Sequence, residues 1–362
     1  MGFSFRSALA LVCLASFGLV PQLLTPRAVA QQSTPAKPSS PAPLVLDVVV
    51  TAKNGIPVTG LQQSSFAVSL DKKPIPISSF EAIEAATTPK LSKEDVEVVL
   101  LIDTVNTRFT NVAYERQEIQ RYLKLNNGKL PRPVTLIILS DTGTQIMPTP
   151  TTDGNALSAF LEQSEVNLRD IGRAAGFYGA TERFDLSMKA LRQISAYEAT
   201  RPGRKLLVWI SPGWPLLSGP EVQLTTKEEQ GLFHELVDLS TSLTRARITL
   251  SSVDPLGMAD AVTSRTFYYQ EFLKGVTAPA KMMIGNLALE VLATQTGGRV
   301  INSNNDVARE ISSAVSDAEA FYVLTVQPPV ADHPDQYRSI AVTMTDKPGL
   351  TARTRTGYYA QP

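Results

Sequence analysis

The sequence predicts an α/β protein in which helices cover a mostly parallel sheet and β-rich segments flank that region on both sides. The middle of the chain alternates short apolar runs with amphipathic helical patterns. Runs such as Val96–Ile102 are apolar at nearly every position, which is typical of strands buried on both faces. The two ends of the folded region carry strand patterns with no helix between them.

The β-rich segment before the middle region contains three predicted strands. Leu44–Lys53 is rich in valine and leads into an Asn54-Gly55 turn. Phe66–Leu70 and Ile75–Phe80 follow, with a turn over 71–74. Three short strands bury too little apolar surface to be stable alone, so we expect them to pair elsewhere.

The middle region predicts a doubly wound, mostly parallel six-stranded sheet. The predicted strands are Val96–Ile102, Val134–Leu139, Thr144–Met147, Leu206–Ile210, Ile248–Val253 and Arg299–Ile301. The predicted helices are 112–125, 155–163, 182–196, 225–246, 281–296 and 306–315. Each long helix carries an apolar stripe, for example Tyr114, Ile119, Tyr122 and Leu123.

The end of the chain predicts strands again, at Phe321–Val326, Ser339–Met344 and Leu350–Tyr359. We expect these to join the first strands in a small β-sandwich-like domain formed by residues 44–90 and 320–362, with the α/β domain over 91–319 inserted between them.

Residues 1–30 have the pattern of a cleaved signal peptide. Arg6 precedes the apolar run Ser7–Val20, and Ala28-Val29-Ala30 is a small-x-small cleavage site. Residues 31–43 are rich in proline and serine and predict a disordered linker. We therefore expect an exported protein, periplasmic or extracellular, with no membrane span after cleavage near Ala30. An uncleaved anchor is the alternative.

Composition excludes several function classes. The only cysteine, Cys13, lies in the predicted leader, so no disulfide or cysteine nucleophile is expected in the mature chain. Lysine plus arginine and aspartate plus glutamate both number 34, which does not indicate a nucleic-acid partner. His234 and His333 lack partners at metal-ligand or triad spacing, so no catalytic residue is assigned.

Oxygen-bearing side chains follow the predicted strands of the middle region. Asp103, Asp141, Ser211 and Asp254 each come at or directly after a strand end. In an open parallel sheet, ligands bind beyond the carboxyl ends of the strands. Hard oxygen ligands suit Mg²⁺ or Ca²⁺, which are therefore the candidate cofactors.

The run over 99–107, with Asp103 and Thr107, resembles the opening of a von Willebrand factor A domain. That family carries an Asp-x-Ser-x-Ser metal-ion-dependent adhesion site. Gly179-Ala180-Thr181 and the run over 207–213 resemble later landmarks of the family. The ends, including Arg355-Thr356-Gly357-Tyr358, resemble the von Willebrand factor A-related proteins described from Acidobacteria.

The resemblance implies an adhesion-type, protein-binding module with a degenerate metal site and no enzymatic activity. Val105 and Pro212 stand where the family pattern has a serine and an aspartate, so two ligand positions carry no oxygen. The candidate metal ligands are Asp103, Thr107, Thr181, Asp141 and Asp254. A loop-stabilising role for Asp103 is the alternative.

The expected contact surface for an unknown protein partner is the same end of the sheet. Its residues are Asp103, Asn106, Thr107, Thr181, Ser211, Trp214 and Asp254. Trp214 is either an exposed aromatic anchor or a packed core residue. Two other functions remain open, a metal-dependent hydrolase that uses the strand-end aspartates and a structural component of the cell envelope that assembles by edge-strand pairing.

Overall fold

The computed structural model describes residues 41–84, 96–164, 176–215, 223–256, 268–302, 304–345 and 347–361. The predicted leader and residues 31–40 of the predicted linker lie outside these residues. The described residues form fifteen strands and six α-helices, joined in part by short 3₁₀ turns.

The strands run in chain order as follows: β1 Leu44–Thr51, β2 Phe66–Leu70, β3 Lys73–Ile75, β4 Ile77–Glu84, β5 Val96–Asp103, β6 Lys129–Ser140, β7 Gly143–Ile146, β8 Thr151–Asp153, β9 Arg204–Ile210, β10 Ile248–Val253, β11 Val300–Ile301, β12 Ala320–Val326, β13 Gln336–Met344, β14 Thr351–Arg353 and β15 Gly357–Ala360. The helices are α1 Phe109–Leu123, α2 Gly154–Gln163, α3 Gly176–Glu198, α4 Thr226–Arg245, α5 Leu289–Gln295 and α6 Val307–Val315.

The central layer is a seven-stranded sheet, which we call the parallel sheet. Its strand order is β11-β10-β9-β5-β6-β7, and β8 pairs with β6. The strands from β11 to β6 are mutually parallel, whereas β7 and β8 run antiparallel to β6. The doubly wound, mostly parallel architecture is confirmed, but the predicted count of six strands is one short. The missed strand, β8, has three residues and no apolar pattern.

Both faces of the parallel sheet are buried, which explains its nearly continuous apolar strands. Val99, Leu101 and Trp209 face a core shared with α3, α4 and α5. Val98 and Leu100, at alternate positions, face a second core shared with α1, α2 and α6. No described helix combines the length and the apolar character needed to cross a bilayer.

Two antiparallel sheets use only the strands from the two ends of the folded chain. The shared sheet has the order β14-β1-β12-β4, and the outer sheet has the order β15-β13-β2-β3. Leu46, Val48 and Leu324 face the outer sheet. Val49 and Phe321, on the opposite face, pack with the core beneath the parallel sheet. The shared sheet is therefore buried on both faces.

Three predicted elements are wrong in their extent. The predicted turn over 71–74 and strand Ile75–Phe80 are replaced by β3, which already begins at Lys73, and β4, which begins at Ile77. The predicted helix over 281–296 is divided into 3₁₀ turns at Pro279–Lys281 and Ile284–Leu287, followed by α5. The side chain of Asn286 accepts a hydrogen bond from the amide of Met283 at 2.9 Å, and this local bond competes with a continuous helix. The predicted strand over 350–359 is divided because β14 joins the shared sheet and β15 joins the outer sheet.

The Gly297-Gly298 pair follows the end of α5. Gly297 has a φ of +88°, a conformation that residues with a side chain rarely adopt. A β-carbon at Gly298 would lie 1.8 Å from the carbonyl oxygen of Leu250. The two glycines therefore let the chain turn sharply against β10.

The amino edge of the parallel sheet, where its strands begin, meets the shared sheet through buried ion pairs. Arg353 binds both carboxylate oxygens of Asp317 at 2.8 and 2.9 Å. Arg204 donates to the carbonyl oxygen of Asp317 at 2.8 Å, and its guanidinium lies 4.5 Å from the ring centre of Phe321. Arg299 lies 3.4 Å from the same carboxylate. The amino edge is thus held by charge pairing.

Candidate functional site

The carboxyl edge of the parallel sheet, where its strands end, contains the predicted site. The strand order reverses around β5, because β6 lies on one side of it and β9 on the other. Such a reversal opens a crevice at the carboxyl ends of the two diverging strands. Asp103 ends β5 at this point, and Ser211 follows β9.

Asp103 is fully buried and accepts hydrogen bonds on both carboxylate oxygens. Its Oδ1 accepts from the amides of Val105 and Asn106 at 3.1 and 3.0 Å. Its Oδ2 accepts from Nδ2 of Asn106 at 2.8 Å and from Nε1 of Trp209 at 2.9 Å. A carboxylate offers about four acceptor positions. Neutral donors of the protein therefore supply about as many hydrogen bonds as the carboxylate has acceptor positions.

The environment of Asp103 has opposing effects on its pKa. Burial raises the pKa of the carboxyl group, and the hydrogen bonds from Asn106, Trp209 and Ser211 lower it. The contact with Ser211 brings the ends of β5 and β9 together. The hydroxyl of Ser211 also accepts from the amide of Gly213 at 3.1 Å.

Asn106 extends this network to α3. Its Nδ2 donates to the hydroxyl of Ser187 at 2.9 Å, and Ser187 donates to the carbonyl oxygen of Arg183 at 2.8 Å. Thr181 lies six residues earlier on α3, roughly 9 Å along the helix axis, and its hydroxyl donates to the carbonyl oxygen of Phe177 at 3.1 Å. Ser187, which no sequence motif indicated, is thus the α3 residue joined to Asn106.

Two tryptophans seal this network from solvent. Trp214 is 1% exposed and packs against Trp209 with ring centres 5.1 Å apart and planes at 71°. Phe184 of α3 contacts Trp214 edge-on at 6.5 Å. Of the two interpretations of Trp214, these contacts support the packed core residue and not the exposed anchor. Five members of the expected contact surface are buried: Asp103, Asn106, Thr107, Ser211 and Trp214.

Glu115 of α1 is a buried acid that was not among the site residues predicted from the sequence. It is 1% exposed, and neither of its carboxyl oxygens has a hydrogen-bond partner. Burial first, then the charges of Asp103 and Asp254, raise its pKa well above the ordinary value, against the opposing effect of the Thr107 hydroxyl. Burial thus shifts the titration of Glu115 toward its neutral form, compared with an exposed glutamate.

A sequence signal for Glu115 existed in the periodicity of α1. The buried stripe runs through Val112, Ile119 and Tyr122, and Glu115 lies on it at helical spacing. Of the four residues on the predicted stripe, Ile119, Tyr122 and Leu123 are buried, and Tyr114 is 41% exposed.

Three further candidate ligands lie at the carboxyl edge. The hydroxyl of Thr107 is buried without a hydrogen-bond partner and lies beside Glu115. Asp254 is half-buried, and its Oδ1 accepts from the amide of Leu256 at 2.9 Å. Asp141 is half-buried after β6. Among the described residues, no three His, Cys, Asp or Glu side chains are grouped as metal ligands.

The two histidines lie on the surface. Nδ1 of His234 is 2.7 Å from the carbonyl oxygen of Gln230, and Nδ1 of His333 is 2.8 Å from that of Pro334. Each of these contacts is to a backbone carbonyl within four residues of the histidine.

An exposed aromatic pair lies at the start of α3. Phe177 is 43% exposed and Tyr178 is 83% exposed, with ring centres 6.3 Å apart in an edge-on arrangement. Because α3 leads into β9, the helix runs back along the sheet and its first turn points toward the carboxyl edge. Phe177 and Tyr178 therefore present exposed aromatic surface toward the carboxyl edge.

No protein-family model matches the chain, and no curated protein matches it in sequence. Three solved structures with a distant likeness are proximal thread matrix protein 1 from the mussel byssus, the SpRpn10 VWA domain and the pilus adhesin SpaC from Lactobacillus rhamnosus GG. The mussel protein is 11% identical with a TM-score of 0.35, over 62% of this chain and 48% of that one.

The SpRpn10 domain is 10% identical with a TM-score of 0.30, over 60% of this chain and 94% of that domain. SpaC is 8% identical with a TM-score of 0.37, over 84% of this chain and 48% of that one. This chain therefore spans about half the length of the mussel and Lactobacillus proteins. The described residues share with the von Willebrand factor A pattern an aspartate at the end of the strand around which a mostly parallel sheet reverses its order.

Proposed function

We propose that this chain is an exported protein-binding module of the adhesion type that acts without a bound metal ion and without catalysis. Its contact surface is the carboxyl edge around Phe177 and Tyr178. The observation that supports this most directly is the exposed aromatic pair on the first turn of α3, the helix that the buried network joins at Ser187.

The buried network supports the proposal because it fixes the surface without being part of it. Asp103 ties the loop over 103–107 to β9, and Asn106 ties the same loop to Ser187 of α3. A preorganised surface loses less conformational entropy when it binds. Exposed aromatic side chains are enriched among the residues that contribute most to protein–protein binding.

The hydrogen bonds and residue types at the candidate ligand positions support the metal-independent part of the proposal. Asp103 already accepts four hydrogen bonds from protein donors, and Val105 and Pro212 provide no side-chain oxygen. A neutral Glu115 would be a weak ligand. The same facts weigh against a metal-dependent hydrolase, which needs carboxylates free to bind its metals.

The test is site-specific photocrosslinking in cells. A photoreactive amino acid at Tyr178 is expected to capture one defined protein, and the same amino acid at Ile56 is the matched control. Ile56 is 61% exposed but lies in the turn after β1. The captured protein is then purified and its affinity for the full chain is measured by calorimetry.

Phe177→Ser and Tyr178→Ser are each expected to weaken that affinity by roughly tenfold or more, as for central aromatic contacts. Ile56→Ser should leave it unchanged. Equal capture from both positions, or an affinity that neither serine variant changes, would show that this surface is not the contact site.

A structural role in assembly is the second candidate, and β4 favours it. This eight-residue strand pairs only with β12 among the described strands, so one of its edges offers unpaired backbone groups. Sedimentation of the wild type and of Ser79→Pro tests it, because proline blocks strand pairing. Self-association that disappears in the variant, together with unchanged binding by Tyr178→Ser, would favour assembly over the proposed function.

A further inference from the structure

A narrow cavity lies where the last strands of the chain meet the helices of the parallel sheet. Its volume is about 20 Å³, which is room for one water molecule or one monatomic ion. Side chains from α4, α5, β13 and the segment after β14 line it, among them Ser240, Thr296, Tyr337, Arg355 and Thr356. Three residues of the motif over 355–358, Arg355, Thr356 and Gly357, therefore form one wall.

Arg355 brings a positive charge into this wall without a direct counter-charge. The residue is 8% exposed, and its Nη1 donates to the hydroxyl of Thr244. Among the described residues, no carboxylate lies within ion-pair distance of it. Asp47 attracts it from further away but is paired with Arg247 at 2.6 Å.

The charge on Arg355 persists at neutral pH. Burial lowers the pKa of its guanidinium to about 10, partly offset by the attraction of Asp47. A buried cation without a counter-charge is costly, so an anion that fits the cavity would be stabilised there.

Hydroxyl groups supply the other donors. The hydroxyl of Thr356 is buried and has no hydrogen-bond partner, although it lines the same cavity. Ser240 contributes a second hydroxyl from α4. A hydroxyl group rotates and donates to whatever acceptor is present, so both can turn toward an anion.

We propose that this cavity binds a monovalent halide ion, chloride in ordinary buffers, through Arg355 and the hydroxyls of Thr356 and Ser240. The sign of the charge selects an anion, and the volume excludes polyatomic ligands such as phosphate. The ion would join α4 and α5 to the C-terminal strands, so its expected effect is on stability rather than on partner binding.

The test is a thermal melt of the full chain in sodium chloride, sodium bromide and sodium gluconate at constant ionic strength. Once the site is saturated, the melting midpoint is expected to rise by about 2 °C for each tenfold increase in chloride or bromide. Arg355→Met should lose this dependence. Thr356→Val, which keeps the charge, should need several times more chloride for half the effect.

A crystal grown in bromide gives an independent readout, since the proposal expects an anomalous peak between Arg355 and Thr356. Water alone in the cavity, with equal midpoints in chloride and gluconate, would overturn the proposal. A halide effect of the same size in Arg355→Met would also overturn it, because the ion would then act elsewhere.

Discussion

At the carboxyl edge of the parallel sheet, buried carboxyl groups are surrounded by neutral donors and by other acids. At the amino edge, buried carboxylates face guanidinium groups. Asp103 relies on Asn106 and Trp209, whereas Asp317 relies on Arg353 and Arg299. Charge pairing therefore ties the amino edge to the shared sheet, whereas hydrogen bonds from neutral groups hold Asp103 at the carboxyl edge.

The largest expected effect comes from breaking the amino edge. Asp317→Asn removes the charge that Arg353 and Arg299 share, and it is expected to cost about 3–5 kcal/mol in the free energy of unfolding. Urea denaturation measures this. Glu162→Gln, which affects an exposed pair with Lys124 at 3.8 Å, is the control and should cost at most about 1 kcal/mol. Similar losses of unfolding free energy in the two variants would show that the buried ion pairs at the amino edge contribute no more than an exposed pair.

Asp103→Asn tests the carboxyl edge directly. An amide can accept from only some of the four donors and turns its own N–H groups toward the others, so a loss of about 2–4 kcal/mol is expected. Trp209 provides a second readout, because its indole loses its acceptor and its fluorescence should change. Asp332→Asn on the surface should cost about 0.5 kcal/mol or less. An Asp103→Asn variant as stable as the wild type would mean that the network carries no stability.

The Glu115→Gln variant tests the buried acids of the carboxyl edge through the pH dependence of stability. The pKa of Glu115 is raised in the folded state, so the native chain binds more protons than the unfolded chain once the pH exceeds about 4.5. The free energy of unfolding of the wild type should therefore fall as the pH rises above that value. The Glu115→Gln variant should become progressively more stable relative to the wild type.

Unfolding of both proteins across pH 4.5–8 measures the difference. Glu118→Gln on the same helix is the control, since Glu118 pairs with Arg121 at 2.5 Å. A constant difference between Glu115→Gln and the wild type would contradict the expectation.

The smallest expected effect is that of divalent ions. Melts with and without Mg²⁺, Mn²⁺ or Ca²⁺ should coincide, since a bound ion would raise the midpoint by mass action. A saturable rise that Asp103→Asn abolishes would restore the adhesion-site metal and remove the metal-independent part of the proposed function.

Apolar periodicity was sufficient to predict most of the architecture. Nearly continuous apolar runs predicted β5 and β6, and apolar residues at helical spacing predicted α4. The 3₁₀ turns before α5 could not be predicted from periodicity alone, because Asn286 bonds locally to Met283 in place of a helical bond. Short strands such as β8 carry no apolar signal.

The site was predictable only in its location. The predicted topology placed Asp103 at the point where the strand order reverses. The burial of Asp103 and of its neighbours could not be predicted, because it depends on contacts between residues distant in the sequence. Trp214 and Ser187 reach Asp103 or its neighbours only after α3 packs on β9. Glu115 could have been found from its helical spacing, because an acid on an apolar stripe is the exception that indicates an unusual environment.

The pairing of β1 with β12 has a consequence for how the chain is made. Leu44 lies opposite Val326, so the ribosome must add roughly 280 residues before the first strand meets its neighbour. At about 5–20 residues per second, that interval lasts roughly 15–55 s. During this time an apolar strand has no native partner, and its valines are open to chaperones or to wrong pairing. The inserted α/β region can begin to fold meanwhile, so the order of synthesis favours completing the middle before the ends.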